Sequence, residues 1–197
     1  MNEAIAYLAK KDKTLQFIVE KFGVPAFQKR QPGFAALCHI ILEQQVSIES
    51  AKATYVKMEL FFGEINPIKI ATATADELRK CGLSRQKISY LKDLAEKVLN
   101  KLIDFESFKF KSEAEIRAEL ITIKGVGNWT IEVYLMFCLQ LEDVIPLGDI
   151  AIKNTISELY QVTTFEEVKT LSDTWQPHRT SASYLLWHYY LVKRGRI

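Results

Sequence analysis

ITIKGVGNWTIEVYLMFCLQLEDVIPLGDIAIK, residues Ile121–Lys153, is the stretch on which the reading of this chain turns. It opens on an apolar-Lys-Gly-Val-Gly turn and runs into a helix that starts at Trp129 and Thr130. It then passes through an extended Val144-Ile145-Pro146 and delivers a lone acid, Asp149. Gly125 and Gly127 let the backbone take positive φ at low cost. The amides of such a turn, at the head of a helix, make a ready anion site. Phosphate is the obvious anion, and an acid delivered beside a phosphate-gripping hairpin points to chemistry on a nucleic acid.

Outward from this stretch the pattern is helical nearly throughout. Thr74 with Glu77, Ser112 with Glu115 and Thr164 with Glu167 each fit a capping box, and Ser47 and Ser84 are further N-cap candidates. In Ser84–Ile103 the apolar residues Ile88, Leu91, Leu94, Ala95, Val98 and Leu102 recur at three- and four-residue steps, which predicts one buried face of an amphipathic helix. Phe34–Gln44 and Thr180–Val192 are more uniformly apolar and are expected to cross the core. Glycine and proline fall at the breaks, as at Pro32/Gly33, Gly63/Pro67 and Pro146/Gly148. LRKCGLSRQKISYL, from Leu78, faintly echoes the Gly125 hairpin, but it has a single glycine and makes a poorer phosphate cradle.

The 197 residues suffice for one sizeable core or two small lobes, and the 48% apolar and 25% charged composition is that of an ordinary globular chain. A net charge of +2 excludes a global polycation, so any DNA contact has to come from a local patch. Basic residues gather at Lys29/Arg30, Arg85/Lys87 and Lys193/Arg194/Arg196. Cys38, Cys81 and Cys138 are widely spaced, with no CxxC, so an iron–sulfur cluster is not expected. Three unpaired thiols fit a reducing compartment. The N-terminus lacks a signal-peptide layout, and no apolar run reaches membrane-spanning length. The expected location is the cytoplasm, at the nucleoid in a bacterium, or the nucleus in a eukaryote.

These blocks, in this order, resemble the HhH-GPD DNA glycosylases, and within them the 3-methyladenine glycosylase II group. The resemblance covers Phe34 to about Arg194 and includes FAALCHIILEQQVSIESA (Phe34–Ala51), LRKCGLSRQKISYLKDLA (Leu78–Ala95), the Ile121–Lys153 stretch and HRTSASYLLWHYYLVKRG (His178–Gly195). It implies an all-α, two-lobed fold with a helix-hairpin-helix and a cleft between lobes. Residues 30–130 would form a central lobe with the hairpin at 121–130, and 1–29 with 131–197 the second, all within one glycosylase unit. The additional N-terminal sheet domain of larger relatives is not expected.

The resemblance also assigns roles. Asp149, read alone, is a helix N-cap worth about 1 kcal/mol. Read with the hairpin it is the catalytic acid that stabilises positive charge on a sugar and orients or deprotonates water. Trp129 stands where lyase-competent relatives place a lysine nucleophile, so no Schiff base forms by that route. Trp129, Trp187 and Tyr134 are the base-pocket candidates, since electron-rich rings favour a cationic alkylated purine. Trp187 also reads as ordinary core, and Val133 occupies a position that can hold a pocket tyrosine. Flipping a base out of a duplex leaves a gap that a side chain must fill. Gln45, in the Glu43–Ser47 loop, is the wedge candidate, the alternative being a polar interhelical turn. Glu43 itself has no sequence-level explanation. Gly125, Gly127, Trp129, Thr130 and Lys153 are the phosphate-binding candidates. The carbonyls of Ile121, Ile123 and Val126 match a site for a structural Na or K ion. Lys124 and Arg179 read as solvated or structural charges, and His178 and His188 lack the spacing for metal or triad work.

The function implied is monofunctional hydrolysis of the N-glycosidic bond of alkylated purines in duplex DNA, the 3-methyladenine and 7-methylguanine type, as a step of base excision repair. The implied enzyme is a monomer that needs no cofactor. Two alternatives stand beside it: a non-catalytic helix-hairpin-helix DNA-binding module, and a glycosylase for another lesion.

Overall fold

The computed structural model describes residues 2–196, and among these there are helices but no strand. The chain divides into two compact units, with Arg30–Tyr134 forming one. The other is drawn from the two ends of the chain, up to Lys29 and from Leu135 onward. No helix among the described residues is long and apolar enough to cross a membrane.

The central unit contains α3 (Phe34–Glu43), α4 (Ile48–Phe62), α5 (Pro67–Thr72), α6 (Ala75–Lys80), α7 (Arg85–Leu99), a 3-10 segment (Phe105–Phe110), α8 (Glu113–Leu120) and the start of α9 (Asn128–Phe137). Its interior is built from Leu37, Ile40, Ile41, Met58, Ile70, Leu78, Leu91 and Leu94, all fully buried. Each such side chain contributes roughly 1.5–3 kcal/mol by leaving water. Helix starts are fixed locally: Ser47 and Ser84 accept from Ser50 N and Lys87 N, and the boxes at Thr74/Glu77 and Ser112/Glu115 are both closed. Helix ends are closed by lysines. The Nζ of Lys69 donates to the Phe62 carbonyl, that of Lys87 to Leu42 and that of Lys92 to Ala71 and Ala73. Cations suit the orphan carbonyls at the negative end of a helix.

The periodic stretch from Ser84 is α7, with Ile88, Leu91, Leu94 and Ala95 buried as its spacing requires. The helix stops sooner than the pattern does. Asn100 is its C-cap and Lys101 takes φ 57, which swings Leu102 out to 65% exposure and sends Ile103 into the core instead.

The terminal unit contains α1 (Asn2–Lys11), α2 (Lys13–Phe22), α10 (Ile150–Tyr160), α11 (Phe165–Asp173) and α12 (Arg179–Lys193). The helix α12 packs against α1, α2 and α10, around Leu8, Leu15, Ile18, Ile152, Ile156, Trp175 and Leu185. Asp12 ties this core together. One oxygen caps α2 through Thr14 N and Leu15 N, and the other accepts from Tyr160 Oη and Trp175 Nε1, each at 2.9 Å.

Candidate active site

In the central unit the chain turns between α8 and α9 at Ile121–Gly127. Val126 N donates to the Ile123 carbonyl at 3.0 Å, which closes the turn, and Ile131 N donates to the Gly127 carbonyl at 3.1 Å, which starts the helix. The two glycines differ in role. Gly125 takes φ +77, and a Cβ there would lie 2.2 Å from the Tyr90 ring. Gly127 is not among the positive-φ residues, contrary to expectation, and a Cβ on it would meet nothing within 4 Å. Gly125 is therefore required by the turn and by α7 behind it. Gly127 is required by neither, since the space beside it is open. Asp93, also on α7, accepts from Lys124 N at 2.8 Å and pairs within its own helix with Lys97 Nζ at 3.1 Å, so one backbone hydrogen bond anchors the back of the hairpin to α7.

The loop from α3 to α4 reaches the same hairpin. Gln44 Nε2 donates to the Gly125 carbonyl at 2.9 Å and to Thr130 Oγ1 at 2.8 Å. Gln45 is exposed with φ 55, and Val46 and Ile48 beside it are exposed as well. Glu43 has a structural explanation: its carboxylate takes both Arg30 guanidinium nitrogens, at 2.7 and 3.1 Å, with His39 Nε2 at 3.8 Å. The fork geometry neutralises it.

In the terminal unit Asp149 is the N-cap of α10. Its Oδ1 accepts from Ala151 N at 2.8 Å, Ile152 N at 3.1 Å and Trp187 Nε1 at 3.1 Å. The half-buried Trp187 ring stacks on Phe137, with centroids 5.8 Å apart and planes 14° apart, and meets Tyr184 edge-on. The indole and the two helix amides together hold the carboxylate, and the aromatic neighbours hold the indole. The segment leading to Asp149 is pinned to the head of α12. Thr180 Oγ1 accepts from Val144 N, and Arg179 makes a bidentate pair with Asp143, with both contacts at 2.8 Å. Arg179 is accordingly a structural charge.

Other expected residues fall differently. Tyr134 is fully buried, its hydroxyl accepts from Gly33 N at 2.9 Å, and Phe105 and Phe108 flank the ring. It belongs to the core of the central unit and has no face to offer a base, which corrects its assignment to the pocket. The Thr130 side chain is 2% exposed and bonded to Gln44, so it turns inward instead of toward a phosphate. Trp129 is half-buried in the first turn of α9, and Lys153 is exposed on α10. Sequence reasoning missed Gln44, Tyr90 and Asp93, because their partners lie 31 to 86 residues away. It also missed Glu132. This side chain is 16% exposed, and burial pushes its carboxyl up to about 7 even though Arg117 Nη1 lies 3.8 Å away.

A helical fold carrying a glycine hairpin that leads one helix and an aspartate that caps another fits the helix-hairpin-helix class that the sequence resembles. The model of the HhH-GPD superfamily of base excision DNA repair proteins matches residues 38–178, and the chain belongs to that superfamily. It is 31% identical over 169 residues to DNA-3-methyladenine glycosylase 1 of Schizosaccharomyces pombe, covering 82% of this chain and 74% of that protein. It is 30% identical over 170 residues to endonuclease III of Sulfolobus acidocaldarius, covering 83% and 72%. Among solved structures, the S. pombe 3-methyladenine DNA glycosylase in complex with abasic DNA superposes with a TM-score of 0.85 at 28% identity, covering 94% of this chain and 95% of that one.

Proposed function

We propose that this protein is a monofunctional DNA glycosylase that hydrolyses the N-glycosidic bond of alkylated purines in duplex DNA. The observation that carries this reading is the Asp149 carboxylate, held through Oδ1 by two helix amides and the Trp187 indole. As the base departs, the sugar gains positive charge. A carboxylate already oriented stabilises that charge without reorganising during the reaction, and it can orient the attacking water or take its proton. The hairpin backbone at Gly125, Gly127 and Trp129 grips a phosphate of the lesion strand, Gln45 fills the gap left by the flipped base, and the exposed Lys153 of the terminal unit offers a further phosphate contact. Trp129 in the central unit and Trp187 in the terminal unit are each aromatic rings of the kind a cationic purine favours. The carbonyls of Ile121, Ile123 and Val126 would hold a monovalent cation, which would supply a positive bridge from hairpin to phosphate. The Ile123 oxygen fits such a role because its bond from Val126 N uses one of two lone pairs. The protein acts as a monomer.

Trp129 replaces the amine that strand-cutting relatives use, which supports water as the nucleophile. The test is incubation with methylated duplex DNA, chromatography of the released bases and borohydride trapping. Free 3-methyladenine or 7-methylguanine is expected, with the strand intact until alkali is added. Binding without release, or a trapped covalent adduct, would overturn the reading.

A further inference from the structure

The first side chain of the α3–α4 loop reaches the hairpin, although nothing in the proposed chemistry requires it to. The Gly125 carbonyl can only accept, so the Gln44 amide must present its nitrogen there. The second hydrogen of that nitrogen goes to Thr130 Oγ1. One side chain thus spans the two ends of the Gly125–Thr130 segment, the segment assigned to the phosphate. The residue next to it, Gln45, is held with φ 55, in a region non-glycine residues enter at a cost of about 1–2 kcal/mol. It projects from the same turn.

We infer that Gln44 is a positioning residue that locks the loop carrying the duplex-filling side chain to the phosphate-gripping hairpin. This rests on the reading of Gln45 and of the hairpin given above. Filling the gap and gripping the neighbouring phosphate must occur in one register, and a displacement of about 1 Å in such a constellation can cost about a hundredfold in rate. Without the staple, both parts remain but their register is loose.

The experiment is a double-mutant cycle of Gln44→Ala and Gln45→Ala on methylated duplex DNA, read as single-turnover base release, with affinity for undamaged duplex measured alongside. Gln44→Ala is expected to slow release about tenfold while duplex affinity stays within about twofold. The double variant should be no slower than Gln45→Ala, because the first change acts through the second residue. Wild-type release by Gln44→Ala, or losses that simply multiply, would overturn the inference. Gln44→Glu keeps the length and an acceptor for Thr130 but loses the donor to Gly125, so it should reproduce the loss in a protein that melts normally. Failure of both Gln44 variants to melt cooperatively would assign Gln44 to folding instead. No release by the wild type, or an unchanged rate for Gln45→Ala, would refute the functional reading beneath and the inference with it.

Discussion

Asp149 and Asp12 are both N-cap aspartates that accept an indole N–H, and their surroundings separate their roles. Asp12 spends its second oxygen on the Tyr160 hydroxyl and the Trp175 indole, within the packed core of the terminal unit. Asp149 receives its indole on the oxygen that also caps the helix, with exposed Gly148 and Ile150 on either side. The cap was legible from Gly148-Asp149 alone. The indole bond was not, because Trp187 lies 38 residues along the chain. Trp187→Phe isolates that bond, since it keeps an aromatic ring for Phe137 and Tyr184 and removes the donor. Base release should slow about tenfold or more while the melt shifts by about 1 kcal/mol. Kinetics beside thermal melts would check this, and an unchanged rate would show that the indole does not orient the acid.

At the level of elements, the hairpin shows what sequence patterns reach and where they stop. The turn, the helix that follows and all three capping boxes were readable because each depends on neighbours a few residues apart. Which glycine is indispensable was not readable, since that is decided by Tyr90 on another helix. Gly125→Ala places a methyl group against that ring at a positive φ, so a loss of about 2–3 kcal/mol is expected. Gly127→Ala has open space around it and should change stability by less than about 0.5 kcal/mol. It should nonetheless weaken duplex binding, because the methyl group obstructs the approach to the backbone. Urea titrations and DNA-binding isotherms of the two variants test the contrast, and a Gly127→Ala variant that binds as wild type would remove Gly127 from the phosphate site.

Across the whole molecule, much of the charge is spent on the fold itself. Arg30, Lys87 and Lys193, which the sequence shows only as basic clusters, engage Glu43, the Leu42 carbonyl and Glu158. Glu132 is the opposite case, a carboxylate whose burial disfavours its charge. With its folded value raised from 4.5 to about 7, its neutral form stabilises the protein fully below pH 4.5. That stability is lost as pH rises toward 7. Glu132→Gln should therefore gain about 3 kcal/mol on wild type between pH 4.5 and pH 8. Denaturant midpoints at the two pH values decide it, and a gap of equal size at both would refute it.

If Asp149 is the catalytic acid, its charge, beyond its place as a cap, drives base excision. Asn also caps helices well, so Asp149→Asn removes the charge while keeping an acceptor for the helix amides. The measurement is single-turnover release of alkylated purines from duplex DNA by wild type and Asp149→Asn, with duplex affinity determined on the same preparations. A fall in rate of about a thousandfold or more, with affinity within about twofold, is expected. Release by Asp149→Asn at the wild-type rate would place the catalytic carboxylate elsewhere.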